Sequence, residues 1–555
     1  MDAQEPVSGK KITGSALLAR ALARQGIETL FYLMGAPTYD AANACIAEGI
    51  RLLDGRHEQG VAFMAQAHAR VLGRPSVCMA SSGPGTVNLA SGLANALVDC
   101  APVVALGGAS PLAQFASGAF QEIDQVAIMR PVTKWAERVY EARRIPQYLN
   151  MAFGQAVSGK PGPVYLDFPG DVLDQEVDEQ SVRWPGKSKG LARAAASMEA
   201  VSAAVELLEK ARRPIILTGS GILWSQAAAQ LQKLVEATGI PFYTTPQGRG
   251  VIAEDHPLFY ANARSAAYKE ADLILVVGTR LNHVFGFGRP PRFSASAPFI
   301  RIDTDPEEIG ATPRLELGIV GDARTVLEQL CKALPDRVTP ALYSEWRGRL
   351  AAIERERAPA SEKRLANDQV PIHPLRLCRE LRDFIDRDAV LVVDGQEILN
   401  YGRQTLSSFA PGHRLNSGPF GTMGVGVPFG VGAKAAKPGT QVVVLSGDGA
   451  FGLNAMELDT AVRHKLPILV VISVNGGWTA DPERRKPARD LGYTRYDRMA
   501  EALGCHAQFV EQPGEIRPAL ERAARALADG KPAVVNVVTD WRARAEMAQF
   551  ARHMT

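Results

Sequence analysis

The sequence predicts an α/β protein built from three doubly wound parallel-sheet domains. Three observations point there. Short β-branched apolar runs alternate with Ala/Leu-rich helical stretches along the whole chain, as in parallel sheets covered on both faces. The 555 residues exceed what one hydrophobic core holds and suit about three domains of roughly 150–200 residues. Two charged, proline-bearing connections, from about Val177 to Gly190 and from about Glu354 to Pro374, interrupt the alternation as linkers do. The expected domains are therefore 1–185, 190–355 and 370–555.

In the first block a helical ITGSALLARALARQG leads into a strand-like TLFYLMG, and the strand-like Ser76–Ser81 meets SSGPGTVN and a further helix. The middle block carries PIILTG, ADLILVVG and PFIRIDTD. The third carries AVLVVDG, TQVVVLSG, LPILVVISV and PAVVNVVTD, each apolar enough for a strand buried on both faces.

Composition excludes several classes. A formal charge of +3 over this length gives no basic surface for nucleic acid, but leaves room for a local basic pocket that takes an anionic substrate. No apolar run reaches the ~18 residues a membrane span needs. The N-terminal stretch does not read as a secretory signal, and the final His-Met-Thr is not a peroxisomal address. Six cysteines without pairing or metal spacing suit a reduced cytoplasm.

The strongest chemical signal lies in the third block. The run QVVVLS empties into Gly447-Asp448-Gly449-Ala450, a helix follows, and the strand PILVVISV ends at Asn475-Gly476-Gly477. Both polar clusters fall at the C-terminal ends of strands, where open α/β sheets bind ligands. A carboxylate, an amide oxygen and a backbone carbonyl are hard donors suited to magnesium, which keeps phosphates among its other ligands. Glycines let backbone N–H groups approach a diphosphate at a helix start. Either cluster alone would read as a tight turn; the pair, separated by one helix–strand unit, is specific.

The pattern resembles the thiamine-diphosphate fingerprint, a GDG followed some two dozen residues later by an Asn-bearing strand end. The resemblance covers nearly the whole chain. It implies pyrimidine-binding, central and diphosphate-binding domains in that order, with Asp448, Asn475 and the carbonyl of Gly477 as magnesium ligands. Val474 stands where the family usually has a first asparagine. Glu58, at the end of a strand-like LLDGRHE and before an Ala-rich helix, is similar to the glutamate that hydrogen-bonds N1′ of the aminopyrimidine and activates the cofactor. GPFGTMG at 418–424 resembles the loop that holds the ring, which implies contacts from the backbone of Gly421 and Met423 and from the Met423 side chain. Gln396 and Glu397 are neighbours of the diphosphate on the same grounds. A homodimer or homotetramer with active sites at the interface is the implied assembly.

Substrate choice rests on other residues. Ala119–Gln125, AFQEIDQ, resembles a segment of 2-hydroxyacyl-CoA lyases and acetolactate synthases in which Phe120 and Gln121 would face the reacting carbon; oxalyl-CoA decarboxylases carry Tyr-Glu there. Thr279–Arg292 resembles a stretch of the lyases and, less closely, of the decarboxylases. It places Arg280 and Asn282, with Arg264 and Arg403, as contacts for an acyl-CoA tail, since guanidinium matches phosphate geometry. The implied reaction is reversible cleavage of a 2-hydroxyacyl-CoA to formyl-CoA and an aldehyde or ketone. An acetolactate-synthase-like carboligase, an oxalyl-CoA decarboxylase and a non-catalytic descendant stay open as alternatives. The segments 478–499 and 541–555, where the resemblance thins, are expected to set substrate choice, the second as a lid.

Overall fold

The computed structural model describes residues 10–186, 192–334, 336, 338–478, 485 and 487–545. The chain divides into two compact units, one of residues 1–69 and 74–191, the other of residues 70–73 and 192–555.

The first unit is built on a six-stranded parallel sheet. Its order is Arg51–Asp54, Thr29–Leu33, Ser76–Ala80, Val103–Ala109, Val164–Pro169 and Trp135–Arg138. The central strands are buried at every position, as expected of a sheet covered on both faces. The helix Gly14–Arg24 buries Leu17, Leu18, Ala21 and Leu22, one stripe at helical spacing, and Thr13 caps it by accepting from the Ala16 N–H at 3.2 Å. Each such buried leucine contributes roughly 1.5–3 kcal/mol of transfer free energy. A short antiparallel pair, Lys11–Thr13 with Glu176–Asp178, stands outside this sheet.

The second unit carries two parallel sheets. The central one runs in the order Phe242–Thr244, Pro214–Thr218, Leu273–Val277, Phe299–Asp303 and Leu315–Val320. The C-terminal one runs Arg414–Leu415, Val390–Asp394, Val442–Gly447, Leu469–Val474, Ala533–Val538 and His506–Val510. Three α/β domains, each on a parallel sheet, are thus what the alternating pattern predicts. The second charged connection is helical over its first half: Ser344–Leu365 is one helix with Pro359 inside it. Its Glu, Arg, Lys and Ala residues are strong helix formers, and Trp346, Leu350 and Ile353 are buried. Polarity there marks a solvated helix face. Among the described residues no helix is long and apolar enough to cross a membrane.

Strand order positions the candidate sites. In each sheet the order in which strands are added reverses between two neighbouring parallel strands: Thr29–Leu33 and Ser76–Ala80, Pro214–Thr218 and Leu273–Val277, and Val390–Asp394 and Val442–Gly447. Such switch points leave a crevice beyond the strand ends where ligands bind. Ser81, Thr279 and Asp448 each follow the second strand of a pair, within one residue of its end or two.

Candidate active site

At the C-terminal switch point a cavity of about 370 Å³ opens beyond the strand ends. Gln396, Glu397, Met423, Gly447, Asp448, Gly449, Ala450, Asn475 and Gly477 all line it. The structure therefore gathers nearly every residue picked out in this block; Gly421 lies outside the lining, exposed, at φ +75°.

Asp448 begins the helix Asp448–Leu453 and is 3% exposed. Its carboxylate accepts from the N–H groups of Gly449 and Gly476, both at 2.8 Å. Burial raises its pKa to about 6, and the backbone N–H groups around it pull the other way. Asn475 accepts from the Gly477 N–H at 3.2 Å, and Gly476 turns at φ +87°. Gly449 cannot carry a side chain without displacement, since a Cβ would fall 2.8 Å from the Trp478 indole. The Trp478 backbone in turn is fastened by its N–H to the Arg489 carbonyl at 2.8 Å.

Sequence reasoning passed over Asp394. This residue ends the neighbouring strand, is 2% exposed, and accepts from Gly395 at 2.8 Å, Gly424 at 3.0 Å and Gly426 at 2.7 Å. Burial lifts its pKa to about 6. It anchors the far end of the 418–424 loop; Asn454 donates to the Gly424 carbonyl at 2.9 Å and holds it from the other side. Met423 projects from this clamp, 37% exposed. The signal that could have found Asp394 is the Asp-Gly after AVLVV, a second copy of the strand-then-Asp-Gly pattern at 448. Glu397, first residue of the helix Glu397–Thr405, accepts from the Ala545 N–H at 2.9 Å. The C-terminal tail proposed as a lid lies, beyond Ala545, outside the described residues, as does most of 479–486.

The donor set suits a magnesium ion that carries a diphosphate. A buried carboxylate surrounded by backbone N–H groups, an amide oxygen and backbone carbonyls line one cavity. Among the described residues no group of three or more His, Cys, Asp or Glu side chains is placed to hold a metal.

In the first unit Glu58 opens the helix Glu58–Leu72, is 8% exposed, and accepts from the Asn88 side-chain amide at 3.0 Å. Its other carboxylate oxygen faces Gly85, where a Cβ would come within 3.3 Å. Phe120 is 81% exposed. Gln121 has φ +59°, and its side-chain oxygen accepts from the Ser82 hydroxyl at 2.7 Å. Glu122 closes the loop by accepting from Ala116, Gly118 and Ala119, and those bonds hold its carboxyl below the usual range.

In the central domain Asn282 caps a short turn by accepting from Val284 at 3.1 Å, and Arg280 is half-buried two residues earlier. Arg403 lies beside this stretch, since its charge, after burial, lowers the His283 pKa. Burial and then Arg249 lower the pKa of Arg403 itself to about 10. Arg264, at the head of the helix Arg264–Glu270, lies beside Tyr268 and Arg292, the last residue of the Thr279–Arg292 stretch.

Comparison with known proteins fits this geometry. Models of the thiamine pyrophosphate enzyme match in three places: the N-terminal TPP-binding domain at residues 12–128, the central domain at 201–330, and the C-terminal TPP-binding domain at 399–537. A 2-hydroxyacyl-CoA lyase of Oryza sativa is 36% identical, over 97% of this chain and 97% of the relative. A probable acetolactate synthase of Mycobacterium bovis is 37% identical over 94% and 95%. An oxalyl-CoA decarboxylase of Escherichia coli is 32% identical over 97% of each. With domains of the right kinds in the right order and relatives matched end to end, the chain belongs to the thiamine pyrophosphate enzyme family.

Proposed function

We propose that the protein is a magnesium- and thiamine-diphosphate-dependent 2-hydroxyacyl-CoA lyase that reversibly cleaves its substrate to formyl-CoA and an aldehyde or ketone. The observation that carries this reading is the presence, in one chain, of Phe120-Gln121 and of the Arg280–Arg292 stretch. The first distinguishes it from Tyr-Glu decarboxylases and the second from acetolactate synthases. Full-length likeness to proteins named 2-hydroxyacyl-CoA lyase supports it.

When bound, thiamine diphosphate supplies an electron sink for carbanion chemistry. Asp448, Asn475 and the Gly477 carbonyl would hold the metal. The backbone of Gly447, Gly449 and Ala450 would face the diphosphate, where N–H groups and the helix start favour anions, with Gln396 and Glu397 beside it. Gly421 and Met423 would take the aminopyrimidine. Glu58 would hold a proton at its N1′, with Asn88 fixing the carboxylate so that one oxygen stays available. Gln121 would bind a reacting oxygen and Phe120 would wall the pocket. Arg280, Asn282, Arg264 and Arg403 would take the acyl-CoA tail. The protein would work in the cytoplasm as a homodimer or homotetramer.

The test is incubation with magnesium, thiamine diphosphate and a panel of 2-hydroxyacyl-CoAs, with formyl-CoA scored by mass. Formyl-CoA from at least one member is expected; none from any of them would overturn the lyase reading. The Mycobacterium bovis relative favours a carboligase on 2-keto acids as the second reading, and acetolactate from pyruvate would establish it.

A further inference from the structure

Gln121 and Gln125 lie four residues apart on one loop of the first unit and use their amides differently. Gln125 is 2% exposed and its orientation is unambiguous. The two N–H groups of its amide face the Gly108 carbonyl at 2.9 Å, the Tyr165 hydroxyl at 3.0 Å and the Asp167 carboxylate at 2.6 Å, while its oxygen accepts from the Gly83 N–H. A carbonyl cannot donate and an N–H cannot accept, so a flipped amide would break contacts at both ends. Arg138 closes the far side of this network on Asp167 at 2.6 Å.

The bond to Gly83 seats that glycine against Gln121. A Cβ on Gly83 would come within 2.5 Å of the Gln121 carbonyl. Gln121 is itself held in the left-handed region, which a residue with a Cβ enters only when its surroundings enforce it. Ser110 donates to the Phe120 carbonyl at 3.1 Å, and Glu122 gathers the loop behind. The Gln121 side chain therefore starts from a fixed point.

One bond then orients it. The Ser82 hydroxyl lies 2.7 Å from the Gln121 side-chain oxygen and 3.2 Å from the Ala36 carbonyl. Ala36 already accepts from the Ser82 N–H at 3.1 Å. A single hydroxyl proton serves one acceptor, and the shorter contact to the less satisfied oxygen wins. With its oxygen held toward Ser82, the amide turns its two N–H groups away from that hydroxyl.

We infer that Ser82 is a positioning residue that commits Gln121 to the donor role: Gln121 gives a hydrogen bond to the reacting carbonyl oxygen of the substrate. The inference rests on the reading of Gln121 as a substrate-facing group.

The test compares Gln121→Glu, Ser82→Ala and Ser82→Thr in the magnesium- and thiamine-diphosphate-loaded enzyme. Glutamate keeps the length and the acceptor but loses the donor at neutral pH, so kcat should fall about 10²–10³-fold with KM for the acyl-CoA unchanged. Ser82→Ala should lower kcat about tenfold, and Ser82→Thr should restore most of it. Cofactor affinity and melting temperature should stay at wild-type values in all three; a Ser82→Ala loss that tracks either would make the residue merely structural and overturn its assignment. Wild-type kcat in Gln121→Glu overturns the donor role, and wild-type kcat in Ser82→Ala overturns the positioning role. If the wild type turns over pyruvate and no acyl-CoA, the lyase reading fails while the same kcat losses on pyruvate keep this inference, because its carbonyl is also an acceptor. Atomic-resolution diffraction gives a readout independent of activity: the shorter C–O arm of Gln121 should face Ser82, and nitrogen there refutes the proposal.

Discussion

The N-terminal and C-terminal domains solve the same problem with different chemistry. Each ends a buried parallel strand in a glycine-bearing turn that opens a helix, Ser81–Gly85 in one and Gly447–Ala450 in the other. The C-terminal turn is organised by carboxylates that gather backbone N–H groups: Asp448 takes those of Gly449 and Gly476, Asp394 those of Gly395, Gly424 and Gly426. The N-terminal turn is organised by side chains that bind one another, Ser82 with Gln121 and Gln125 with Asp167. A turn built from backbone N–H groups needs only a carboxylate and glycines that let the chain approach it, here 28 to 32 residues away at Gly476, Gly424 and Gly426. Sites built from side chains depend on partners far apart in sequence and can change their ligand by substitution.

The largest effect should come from the N-terminal side. Glu58→Gln should keep cofactor affinity and lose about 10²–10⁴-fold in turnover, the usual worth of positioned proton transfer. Turnover at the wild-type level would remove Glu58 from that role. Asp448→Ala should act in the opposite sense, weakening magnesium-dependent cofactor binding by about 100-fold or more in calorimetry, beyond what loss of a supporting contact does. Unchanged affinity would sink the metal assignment.

Asp394 sharpens the comparison through pH. Its folded pKa of about 6 lies above the ordinary 3.8, so the folded protein holds this proton more tightly than the unfolded chain does. Its contribution is fully present below about pH 4 and is lost as pH rises through about 6, a change of at most about 3 kcal/mol. Metal-free Asp394→Asn should lack this decline in denaturant unfolding at pH 4.5 and 7. A slope identical to wild type would assign the titration elsewhere.

The smallest effects should come from a matched pair of glycines. Gly83→Ala meets both a φ of +57° and the Gln121 carbonyl, and should cost about 1–3 kcal/mol while lowering turnover and sparing cofactor affinity. Gly449→Ala meets the Trp478 ring, a side chain that can shift, and should lower cofactor affinity chiefly. Differential melting and calorimetry on both variants separate the outcomes; the reverse pattern would break the division of labour.

This contrast explains what could be read from the sequence. The central strands declare themselves because burial on both faces forces continuous apolar runs such as VVVLS and LVVISV. Edge strands such as Trp135–Arg138 and His506–Val510 do not, since partial exposure lets polar residues in. Asp448 and Asn475 could be singled out because each stands in a short glycine-bearing cluster at the end of a buried strand, and the fold brings both to one cavity. Ser82 and Gln125 could not, because their partners lie 39 and 42 residues away and only the fold joins them. The helix through Glu354–Leu365 escaped for a third reason: its charges mark solvent, and solvent borders helices as well as linkers.

Trp478 gives the chain an optical handle. Its ring lies against Gly449 and lines the same cavity as Asp448, so a diphosphate and its cation entering there would change the environment of one indole. Five other tryptophans contribute a background that a Trp478→Phe variant would measure. Cofactor loading then becomes a change in native emission, readable in real time and without a label.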